Sequence, residues 1–307
     1  VSYGVLASAV AAAPGATGSG DAGSWAALVV ALALLFVPCA AWGVARPRAP
    51  RSLAWAAVLL VPYLLYALGT GTFEWLALAR LGLYVGLPTF FVSLSGDRKG
   101  PGPFDLLAIL ALWLPFDLGL LGGIWTWPQP DGARFCQTIL AADLALFLFV
   151  IHRRIDGVGY RFVLVRRHVL VVLGNLALFA VLAIPLGLAI GFLTYQPRPL
   201  DTLGFLRSFF TILVFIGIPE ELLFRGLIQN VLEQWWGRNW TSLGVAALVF
   251  GAAHLDNGGF PNLRYALLAT LAGIFYGRAF RQGGNLTPPA LVHTFVDSLW
   301  GAFFRYP

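Results

Sequence analysis

The run Phe209-Phe210-Thr211-Ile212-Leu213-Val214-Phe215-Ile216-Gly217-Ile218 passes directly into Pro219-Glu220-Glu221-Leu222-Leu223-Phe224-Arg225. An apolar segment long enough to reach lipid depth thus ends in two carboxylates and a guanidinium. Such groups cost about 2.5 to 3.5 kcal/mol each at the centre of a membrane helix unless they are paired or line a wet cavity. Their presence therefore points to a function. On a helix, Glu221 and Arg225 stand at i and i+4 and meet on one face. Glu220 is rotated about 100° from Glu221, and its own i+4 neighbour is Phe224, so nothing in this stretch neutralises it.

The surrounding chain fits that reading. Hydrophobic residues make up 59% of its 307 residues and charged residues 11%, against about a quarter charged in a soluble domain. The fold class expected is an all-α polytopic membrane protein. Apolar runs at 25–45, 53–68, 75–94, 104–124, 137–151, 169–194, 203–232, 241–255, 263–280 and 286–304 indicate about ten transmembrane helices. Residues 1–24 read as a flexible Gly/Ser-rich lead-in, 25–202 as N-terminal membrane helices without an assignable role, and 203–307 as the part that carries chemistry. The net charge of +6 comes almost wholly from arginine. Most of these arginines fall in alternate loops, as a cytoplasmic bias requires, while Arg134, Arg198, Arg207, Arg264 and Arg305 fall on the opposite side. No DNA- or RNA-recognition motif accompanies the positive charge. Cys39 and Cys136 are isolated and form neither a disulfide framework nor a metal knuckle.

Other features have packing explanations. Gly82/Gly86, Gly119/Gly123, Gly187/Gly191 and Gly273/Gly277 have the spacing that lets membrane helices approach closely. Arg80, Asp105, Asp117 and Asp143 are expected to pair with one another, and His152 and His168 to be solvated.

Two further polar positions lie in the last apolar runs. His254 follows Phe250 by four residues, and His293 precedes Asp297 by four. A carboxylate at that spacing can hold one imidazole nitrogen and leave the other for chemistry.

Taken in order, Glu220-Glu221-xxx-Arg225, Phe250-xxx-His254 and His293-xxx-Asp297 resemble the three motifs of the CAAX-protease and bacteriocin-processing family of intramembrane endopeptidases. The resemblance covers roughly residues 203–304. It implies that Glu220 is the general base that activates water, helped by His254, and that His293 and Asp297 orient the carbonyl or stabilise the oxyanion. Glu221, Arg225 and Phe250 then support the site. The third motif of the family ends in Asn or Asp; an ionised Asp297 has no N–H to offer, so it is expected to orient His293.

The activity expected is hydrolysis of a peptide bond in a membrane-associated protein or peptide near the bilayer surface, with membrane lipid as the surroundings and no nucleic-acid partner. No cofactor is required by this scheme. In a zinc-dependent version His254, His293 and Glu220 would be the ligands. A proton-coupled transporter or a silent membrane scaffold are the readings from other classes. A bacterial inner membrane is the expected location, with the endoplasmic reticulum as the alternative.

Overall fold

A computed structural model describes residues 21–45, 52–96, 98–128, 132–199 and 201–306. The expected lead-in lies largely outside these residues. The first helix begins at Ala22, earlier than the apolar run suggested, because the Asp21 side chain accepts the Ser24 N–H at 2.8 Å and caps it.

Helices dominate, and we number them in chain order: α1 Ala22–Val44, α2 Leu53–Gly69, α3 Trp75–Leu94, α4 Pro103–Asp117, α5 Phe135–His152, α6 Arg166–Ala189, α7 Thr202–Trp236, α8 Trp240–Ala252, α9 Leu263–Gly283 and α10 Thr287–Phe303. Each apolar run of the sequence corresponds to one helix. Among the described residues, five (α1, α3, α5, α6 and α7) are long and apolar enough to cross a membrane, and α2 and α8 are shorter apolar helices. At ~1.5 Å per residue, the 13 residues of α8 reach only ~20 Å, short of a ~30 Å hydrocarbon core. A two-residue antiparallel ribbon, β1 Thr194–Tyr195 with β2 Phe304–Arg305, ties the segment after α6 to the end of α10.

The chain divides between Asp156 and Gly157 into two compact units. In the first, α1 packs on α2 and α5, and α3 packs on α2 and α4. Its charged groups have partners other than those expected. Asp105 is paired with Arg153 at 2.7 Å, and the same guanidinium donates to the carbonyls of Gly96, Arg98 and Gly100. Asp143 accepts from Cys39 Sγ at 2.9 Å, and Arg80 donates to the carbonyls of Leu120 and Gly122. The expected pairing within that set is therefore corrected for Arg80, Asp105 and Asp143: each reached a nearer partner in three dimensions.

In the second unit α9 is central, packing on α6, α8 and α10, while α7 packs on α8 and α10. His168 is buried here, its Nδ1 donating to the Val163 carbonyl at 2.8 Å, and is not solvated as expected.

The glycine pairs behave differently from one another. A Cβ on Gly273 would lie 3.0 Å from Ala247 Cα, and one on Gly277 would press on Leu243 and Gln229, so this pair does bring α9 against its neighbours. Gly119 and Gly123 follow the end of α4 at positive φ and serve as turn residues, as does Gly191. Around Gly82 and Gly86 there is open space. The spacing alone does not reveal whether a helix faces a partner.

Candidate active site

α7 is built unusually around its proline. The α-helix to Ile212 widens into a π-turn over Leu213–Gly217, narrows over Ile218–Glu221, and widens again over Leu222–Gln229. Pro219 has no N–H, and in an α-helix its ring would strike the carbonyl four residues back. The wide turn, in which the Ile218 N–H reaches back to the Leu213 carbonyl, absorbs that conflict. Glu220 and Glu221 thus sit in one narrow turn between two wide ones. A second close approach fixes the height of this turn: a Cβ on Gly217 would lie 2.8 Å from Thr294 Oγ1, so α7 and α10 cross in contact just below His293.

Glu221 is fully buried and has two partners. Its Oε2 lies 3.1 Å from Arg225 Nε, the i+4 pair read from the sequence, and its Oε1 accepts from His293 Nδ1 at 2.9 Å. Arg225 is also buried, and its guanidinium carbon lies 4.3 Å from the centre of the Phe250 ring and 5.2 Å from that of Tyr276. Desolvated contacts of this kind are worth ~2 kcal/mol each. One guanidinium nitrogen donates to the Gly273 carbonyl at 3.3 Å.

His293 Nε2 faces Asp297 Oδ2 at 3.2 Å, as the spacing predicted, and Glu220 Oε2 at 3.9 Å. The nitrogen expected to remain open, Nδ1, is instead held by Glu221. A neutral imidazole can donate to one of these carboxylates only; a protonated one donates to both. Glu220 Oε2 is buried and has no hydrogen-bond partner among the described residues.

His254 lies in the turn after α8 rather than within the helix. Its Nδ1 donates to the Phe250 carbonyl at 2.7 Å, which leaves the Nε2 lone pair as an acceptor in the neutral ring. Its ring stacks on Tyr265 at 5.5 Å and leans on Phe250 at 4.6 Å. A cavity of about 40 Å³ lies against His254, His293 and Asp297, with Tyr265, Tyr276 and Trp300 among its walls. That volume holds a water molecule with room to spare. Glu220 is not part of this wall and approaches the cluster through His293.

Residues 202–299 match the family model described as Type II CAAX prenyl endopeptidase Rce1-like. This part of the chain is a CAAX-protease-family domain. No curated protein and no solved structure gave a match. The domain begins with α7 and ends within α10, so it contains Glu220, Glu221, Arg225, His254, His293 and Asp297.

Within the CAAX-protease domain, the sequence did not single out the tyrosines. Tyr276 stacks on His293 at 4.8 Å with 17° between ring planes, and Tyr265 covers His254. A signal for them existed: Tyr265, Leu268, Ala269, Ala272 and Tyr276 recur at helical spacing and line the cavity as one stripe of α9. The zinc ligand set suggested for the domain does not fit. Among the described residues no three His, Cys, Asp or Glu side chains converge as metal ligands, and both nitrogens of His293 face carboxylates.

Proposed function

We propose that the domain hydrolyses a peptide bond of a membrane-associated protein or peptide by attack of a water molecule activated by Glu220, without a metal ion. The observation that carries this reading is the contrast between adjacent glutamates: Glu221 is ion-paired with Arg225 and accepts from His293, whereas the Oε2 of Glu220 is buried, has no hydrogen-bond partner among the described residues and lies 3.9 Å from His293. A carboxylate with a free lone pair next to His293, whose ring lines the small cavity, is suited to take a proton from water.

In this scheme Glu220 and His254 Nε2 accept the two hydrogens of one water, leaving its lone pair to attack the carbonyl carbon. The proton taken by Glu220 passes to the leaving amine as the C–N bond breaks. His293 keeps its Nδ1–H on Glu221 and turns its Nε2–H from Asp297 to the developing oxyanion, a contribution of about 3 to 4 kcal/mol where it has been measured in other hydrolases. Asp297 orients that ring. A bacterial inner membrane suits the short connections and composition of the chain.

The test is cleavage of a membrane-tethered tail peptide by the detergent-purified chain, with elemental analysis and chelator alongside. Glu220→Gln is expected to lose about 10²- to 10⁴-fold in turnover while melting like the wild type, and cleavage is expected to survive the chelator. Near-normal cleavage by Glu220→Gln, or stoichiometric zinc with chelator-sensitive turnover, would overturn the scheme.

A further inference from the structure

Several arginines of the C-terminal unit are tied to neighbouring groups. Arg225 is paired with Glu221 and Arg281 with Glu233 at 2.7 Å, while Arg238 and Arg167 donate to the carbonyls of Arg281 and Gln282. Arg198, Arg264 and Arg305 are exposed and, like the exposed Arg161 and Arg166, form no salt bridge among the described residues. Asp201 and Asp256, the acids nearest in sequence to Arg198 and Arg264, form no salt bridge with either among the described residues. In the ten-span reading of the sequence these arginines also fall on the side that the bias of positive charge disfavours.

All three flank one place. The cavity beside His254 and His293 ends, away from Arg225, in the rings of Phe192, Tyr265 and Tyr306, with Phe192 5.2 Å from Tyr265 and 6.0 Å from Tyr306. Tyr265 and Tyr306, like Asp297 and Trp300, are half-buried, whereas Phe250, Tyr276 and His293 are buried, and we place the mouth of the cavity at the two phenols. Arg264 precedes Tyr265 and lies 3.5 Å from the carbonyl of Gly191, next to Phe192. Arg305 precedes Tyr306 on the ribbon, and the charge of Arg198 acts on the Tyr306 phenol. Each arginine also has a large exposed apolar neighbour: Tyr195 near Arg198, Leu263 beside Arg264 and Phe303 near Arg305.

We propose that Arg198, Arg264 and Arg305 bind the phosphate of an anionic phospholipid at the mouth of this cavity. A guanidinium offers paired donors that match phosphate oxygens. The exposed Tyr195, Leu263 and Phe303 lie where the interfacial part of the same lipid would rest. A substrate entering from the bilayer then passes a bound headgroup, and the anionic lipid content of the membrane sets how often the mouth is open. This lipid site does not depend on how water is activated.

The full chain is reconstituted in nanodiscs of equimolar phosphatidylglycerol and phosphatidylcholine, released, and the lipid it retains is read by native mass spectrometry. The wild type retains phosphatidylglycerol preferentially, and the preference falls roughly fivefold for each arginine changed to Gln. Arg166→Gln with Arg167→Gln, which alters a different exposed basic stretch, leaves it unchanged, and Arg264→Lys retains part of it. The proposal is overturned if the wild type shows no preference, or if the Arg198, Arg264 and Arg305 triple variant retains phosphatidylglycerol as the wild type does. It is equally overturned if only binding of a carboxylate-ended peptide is lost in that variant, which would assign the arginines to substrate.

Discussion

Glu221 joins Arg225 to His293, with Oε2 3.1 Å from the guanidinium and Oε1 2.9 Å from the imidazole. The i+4 pair legible in α7 is therefore one end of a bridge that crosses to α10. Breaking a buried ion pair by removing one partner costs about 3 to 5 kcal/mol. Glu221→Gln and Arg225→Ala are each expected to lower thermal stability in detergent by that order, and the double variant by much less than the sum. A Glu221→Gln protein that melts normally yet cannot cleave peptide would exchange the roles assigned to the two glutamates.

Tyr276 touches both ends of that bridge, stacked on His293 and within 5.2 Å of the Arg225 guanidinium. The contribution is that of the ring, about 1 to 3 kcal/mol for one aromatic and one cation–π contact together. Tyr276→Phe should keep stability and cleavage close to wild type, while Tyr276→Leu should lose both. If Tyr276→Phe is as damaging as Tyr276→Leu, the phenol rather than the ring is what matters.

His293→Ala removes the group that both Glu221 and Asp297 hold, whereas Asp297→Asn leaves a hydrogen-bonding group 3.2 Å from Nε2. Turnover of a tail peptide should therefore fall further in His293→Ala. The reverse order would contradict an orienting role for Asp297.

Gly217 lies where α7 and α10 touch, and a Cβ there would come within 2.8 Å of Thr294 Oγ1 and 3.2 Å of the Ala290 carbonyl. Gly217→Ala should destabilise by about 1 to 3 kcal/mol, as overpacking does, and should shift Glu220 relative to His293. Gly82→Ala, in open space on α3, is expected to be neutral or slightly stabilising. Thermal unfolding of the two variants side by side tests the contrast.

Local features were legible in the order of residues alone. Composition set the membrane class, runs of apolar residues marked every helix with ends off by up to seven positions, and i+4 spacing identified Glu221 with Arg225 and His293 with Asp297. These follow from the helical repeat and from the cost of charge in lipid, neither of which needs a neighbouring helix. Tertiary structure decided what depends on how helices are rotated and staggered against one another. It gave His293 a second carboxylate from 72 positions away, paired Asp105 with Arg153, made one of four glycine pairs a helix contact on both of its residues, and placed Tyr276 and Tyr265 over the histidines. The wide turns around Pro219 are the physical link: they change the phase of α7 just before the glutamates, so the face each carboxylate presents is set by packing as well as by the residue count.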